Sequence, residues 1–139
     1  MFDNIFKTNN KNVVGLTNEL QALYIYNYYL ETNKSICLVV NSLYEANKMY
    51  QSLLSYTKKV VLFPMDDFLT SVALAVSPEL KMSRIETIKE LAQNNKQIVV
   101  TNLMGFLRYL PKKTSFQEST LKLAVNNDYD INELVEKLT

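Results

Sequence analysis

The residues best placed for chemistry are Val13-Val14-Gly15-Leu16-Thr17-Asn18-Glu19-Leu20-Gln21-Ala22, where a glycine introduces a helix-forming segment. Such a turn can present backbone amides to a phosphate, and the helix N-terminus adds the positive end of its dipole. Set on the phosphate-binding pattern G-x-x-x-x-G-K-[ST], Gly15 fills the first position, but Leu20 replaces the second glycine, Gln21 the lysine and Ala22 the hydroxyl residue. Each replacement removes a function. Leu20 puts a side chain where backbone must approach phosphate, Gln21 offers no charge to the β- and γ-phosphates, and Ala22 cannot ligate magnesium. Glu19 adds a negative charge where an anion would rest. The segment reads as a plain turn feeding a helix, and no catalytic, cofactor-binding or metal-ligating residue is assigned to it.

Other candidates have equally plain readings. With no histidine and one cysteine, a Ser-His-Asp triad, a Cys-His dyad and a zinc finger are excluded. Cys37 lies in the apolar run Ile36-Cys37-Leu38-Val39-Val40 and is expected to be a buried, inert thiol. Asp66-Asp67 follows an apolar run as a metal-binding pair would, yet Pro64 has already turned the chain, so a solvated turn or a helix cap is expected. Lys112-Lys113 beside Pro111 reads as a wet loop. Tyr24, Tyr26, Tyr28 and Tyr29 could stack on bases, but no basic residue is interleaved with them, which favours core packing or a protein-contact surface.

Three short apolar runs, Ser35 to Val40, Lys59 to Phe63 and Gln97 to Thr101, have the character of buried strands. Between them lie segments with helix-start signals. Asn18-Glu19-Leu20-Gln21, Ser42-Leu43-Tyr44-Glu45 and Asp130-Ile131-Asn132-Glu133 have capping-box form, and Ser77-Pro78-Glu79 puts a proline at the first helical position. Leu80, Ile85, Ile88, Leu91 and Ala92 supply one apolar face, and Leu134 and Leu138 another. Tyr24 to Leu30 favours a strand by aromatic content, but the cap before it favours a helix, which we assign. Leu121 to Val125 is expected to add an edge strand. Strands alternating with helices predict an α/β fold in three layers, a mainly parallel sheet with helices on both faces.

The 139 residues suffice for one domain with a real core. Fifteen Lys and Arg against fourteen Asp and Glu leave a net charge of +1, too little for a strong electrostatic hold on nucleic acid. The start, Met1-Phe2-Asp3-Asn4-Ile5, lacks a signal-peptide pattern, and no apolar run approaches the roughly 20 residues that span a membrane. A cytoplasmic location is the default expectation.

The order and spacing of several pieces resemble the N-terminal, UvrB-like region of the bacterial transcription-repair coupling factor family. Gly15-Leu16-Thr17 looks like that family's degenerate P-loop turn. Glu31-Thr32-Asn33-Lys34 leads into the first strand, followed by Asn41-Ser42-Leu43-Tyr44-Glu45-Ala46. Leu62-Phe63-Pro64-Met65-Asp66-Asp67, then Ser77-Pro78-Glu79-Leu80 with Arg84, is the most specific part. Ile98-Val99-Val100-Thr101, Leu107 and Leu110-Pro111 complete a resemblance covering about residues 11 to 139. Two departures stand out: Phe68 to Val76 lacks the Leu-Pro-Tyr of some members, and Val125-Asn126-Asn127-Asp128 replaces a Val-Gly, where Asn can take the left-handed turn.

The resemblance implies a fold like a degenerate P-loop NTPase or helicase domain (UvrB domain 1a-like) over residues 1–118, with residues 119–139 starting the next UvrB-like domain. It implies a fragment of a larger protein whose ATP- and Mg-dependent DNA translocase motor, and whose contacts to RNA polymerase and DNA, lie elsewhere. The implied partners are the parent's other domains and, through the following domain, the excision-repair protein UvrA. The implied role is a non-catalytic scaffold without a cofactor of its own. A stand-alone nucleotide-binding domain or protein-interaction domain is the alternative.

Overall fold

The computed structural model describes residues 12–67, 77–93, 95–121 and 123–138. Met1 to Ile5, the spacer Phe68 to Val76 and the side chain of Leu138, all read in the sequence, lie outside them. The chain forms two compact units, Met1–Arg108 and Tyr109–Thr139.

In the first unit α1 spans Asn18–Thr32, so the tyrosine-rich stretch is helical as expected. Its cap is Thr17, one residue before the expected Asn18: Thr17 has extended backbone, and its hydroxyl accepts from the Leu20 N–H at 3.4 Å. The helix stops at Asn33, which adopts the left-handed conformation (φ 51°) and donates its N–H to the Tyr29 carbonyl at 3.0 Å. Strand β1 (Ile36–Val40), α2 (Leu43–Leu54), β2 (Val60–Phe63), α3 (Pro78–Ala92), β3 (Ile98–Asn102) and the short α4 (Leu103–Phe106) follow. All three apolar runs are therefore strands, within a residue or two at each end.

The strands form one parallel sheet in the order β1-β3-β2. Ile36, Ile98 and Val60 lie in register, as do Leu38, Val100 and Leu62. Because side chains alternate along a strand, these six share one face. Against them pack Ala22 and Tyr29 of α1 and Ala46, Met49 and Leu53 of α2, forming the core. At roughly 1.5–3 kcal/mol per buried large aliphatic side chain, this cluster dominates the stability of the unit.

Helix α3 closes the outer side of β2. The Lys59 carbonyl accepts from Ile98 N–H at 2.9 Å on the β3 side, so the Leu62 carbonyl, three residues on, points away from β3. Both Ser83 Oγ (3.0 Å) and Thr87 Oγ1 (2.7 Å) donate to it. One carbonyl of that strand edge is thus satisfied by helix side chains.

The second unit contains α5 (Lys113–Glu118) and α6 (Ile131–Leu138). Asp130 caps α6 as expected, accepting from Asn132 N–H at 2.8 Å. The expected strand at Leu121 to Val125 does not form: its described residues belong to no strand, and Val125 starts a turn in which Asn126 takes φ 70°. A strand needs a partner ladder for its amides, and this run has none among the described residues.

Candidate functional site

The glycine turn leads into a helix but does not carry the groups of an anion site. Gly15 does adopt φ 80°, the region glycine enters without penalty, and the turn feeds α1. Residues 12–14, however, belong to no strand, so the strand-turn-helix order of a P-loop is not formed by the described residues. Leu20 projects to the surface at 42% exposure. Gln21, in the lysine position, folds back and donates Nε2 to the Leu16 carbonyl at 3.0 Å. Ala22, in the magnesium-ligand position, is fully buried in the core. A hydroxyl substituted there would face apolar side chains instead of a metal-bound phosphate. The residues present do not fit a nucleotide triphosphate with magnesium.

A second constellation lies at the carboxyl ends of the strands, where open α/β sheets place their ligands. Asn102, fully buried at the end of β3, uses every polar atom of its carboxamide. Its Nδ2 donates to the Met65 carbonyl (2.6 Å) and to Asp67 Oδ1 (2.7 Å), while Oδ1 accepts from the N–H groups of Met65 and Gly105, both at 3.2 Å. It thereby holds the chain leaving β2 and caps α4. Asp67 in turn accepts from Leu43 N–H through both oxygens, at 2.8 and 3.0 Å, at the start of α2. The cap reading of Asp67 is correct, but the helix it caps lies 24 residues back in the chain. Nearby, Thr101 Oγ1 donates to the Phe63 carbonyl at 2.8 Å, and Arg84 donates to that of Pro64 at 3.1 Å.

Gly105 is needed here for space: a Cβ would lie 2.3 Å from Thr101 Oγ1 and 3.0 Å from the Phe63 carbonyl oxygen. Sequence reasoning singled out neither Asn102 nor Gly105. The one available signal was an asparagine directly ending a strand and starting a helix, an N-cap position.

Between the start of α1 and the start of α2 runs a half-open cleft of about 500 Å³, lined in part by Asn18, Gln21, Val40, Ser42, Glu45 and Lys48. It contains both helix N-termini, and at the start of α2 several amides are already engaged. Ser42 Oγ accepts from Glu45 N–H (3.2 Å), Asp67 takes Leu43 N–H, and Glu45 Oε2 accepts from Asn41 N–H (3.1 Å). An incoming anion would meet these carboxylates, with Lys48 the single cation of the lining. Among the described residues no three Asp, Glu or Cys side chains converge as a metal site would require.

Cys37 is exposed, contrary to the buried thiol expected. β1 is an edge strand whose burial alternates, so Ile36, Leu38 and Val40 are half-buried while Cys37 and Val39 face outward. Partial desolvation still raises the thiol above its usual pKa, the opposite of an activated nucleophile. Lys112 ends the exposed loop expected there as the N-cap of α5, and Lys113 is the first residue of that helix. Of the tyrosines, Tyr29 is buried in the core and donates its hydroxyl to the Lys96 carbonyl at 2.9 Å, and Tyr26 stacks on Tyr56 with ring centres 5.7 Å apart. These two tyrosines serve packing. At the start of α3 the Ser77 hydroxyl bonds the Glu79 carboxylate, which together with the backbone lowers the Glu79 pKa.

Comparison with known proteins supplies what the geometry does not. The transcription-repair-coupling factor of Staphylococcus epidermidis is 31% identical over 138 residues, 98% of this chain. That of Staphylococcus haemolyticus is 30% identical over the same length, and that of Staphylococcus aureus 29% identical over 136 residues, 96% of the chain. This chain is a homologue of part of the transcription-repair-coupling factor. It spans about 12% of the length of these relatives. No protein-family model matches the sequence, and no solved structure matches the fold. No helix among the described residues is long and apolar enough to cross a membrane.

Proposed function

We propose that this chain is the N-terminal, UvrB-like part of a transcription-repair-coupling factor acting in nucleotide excision repair, a non-catalytic scaffold that helps bring UvrA to stalled RNA polymerase. Residues 119–139 open the domain that follows. ATP hydrolysis with magnesium and the contacts to DNA and polymerase belong to parts of the parent outside this chain. The observation that carries the reading is the match to these factors along 98% of the chain. The site supports the non-catalytic role: in the proposed degenerate P-loop, Gln21 is tied to the Leu16 carbonyl and Ala22 is buried, so the lysine and hydroxyl functions have no replacement.

Calorimetric titration with Mg-ATP tests the silent site, and no saturable heat is expected. Micromolar binding that disappears in Gly15→Val would overturn it. For the scaffold role, the chain extended through the following domain is expected to retain UvrA in a pull-down. Failure of the extended protein, folded by circular dichroism, to retain UvrA would remove the recruitment part of the proposal.

A further inference from the structure

We draw no further inference here: the strongest candidate, the exposed apolar face that Leu103, Phe106 and Leu107 present on the short helix after β3, carries nothing because no feature of the structure shows what covers it.

Discussion

Asn102 shows how much one side chain can hold at the carboxyl end of a sheet. Its carboxamide makes four hydrogen bonds in a site with no solvent exposure, three of them to backbone groups of Met65 and Gly105. Truncation would leave buried donors and acceptors unpaired, each at about 1–3 kcal/mol. Asn102→Ala is therefore expected to lower the unfolding free energy by about 2–4 kcal/mol, read from urea denaturation. A loss below about 0.5 kcal/mol, the scale of an ordinary surface substitution, would mean that water replaces the side chain. Cys37 makes a contrasting prediction. Exposed on the edge strand but with its thiol pKa raised, it is expected to react fully with iodoacetamide in the native protein, more slowly than a free cysteine peptide at about pH 8. Alkylation that requires denaturant would contradict its outward orientation. Neither residue's role was legible in the sequence. An apolar run around Cys37 cannot say whether its strand is central or at an edge, and the partners of Asn102 lie 37 and 35 residues away in the chain or in the next helix.

At the scale of elements, local chemistry was read well where the partners are local. Ser42 caps α2 and Asp130 caps α6 because a hydroxyl or carboxylate three residues or fewer from an amide meets it as soon as the helix forms. Where two adjacent residues could both cap, as Thr17 and Asn18 could, the structure has Thr17 as the cap. Helix α1 is also pinned at a distance, through Tyr29 and the Lys96 carbonyl just before β3. Tyr29→Phe is expected to cost about 1 kcal/mol in thermal or urea unfolding. Burial raises the Tyr29 pKa in the folded state, so folding favours the protonated phenol. Its contribution is fully present below the unfolded value of about 10 and is lost as the pH rises through the folded value. The stability gap between the parent chain and Tyr29→Phe should accordingly narrow above about pH 10. A gap that widens there would reverse the assignment.

For the whole molecule, the near-balanced charge of +1 bears on function as well as solubility. A protein that neutralises few phosphates gains little from counterion release, so a gel shift at physiological salt is expected to show no micromolar binding of this chain to duplex DNA. Tight binding would relocate the DNA contact of the proposed scaffold into this region. By itself the sequence determined the three strands, the helices between them, the mismatch of Leu20, Gln21 and Ala22 to a phosphate-binding loop, and the likeness to the coupling factors, because each resides in local periodicity, residue type or the order of motifs. Only the tertiary structure decided the strand order β1-β3-β2, and with it the exposure of Cys37 and the junction of Asn102, Asp67 and the start of α2. It also left the described residues of 121–125 outside any strand. These features depend on which strand becomes a neighbour, an outcome set by burying one continuous apolar face between distant segments, and no short stretch of sequence contains that information.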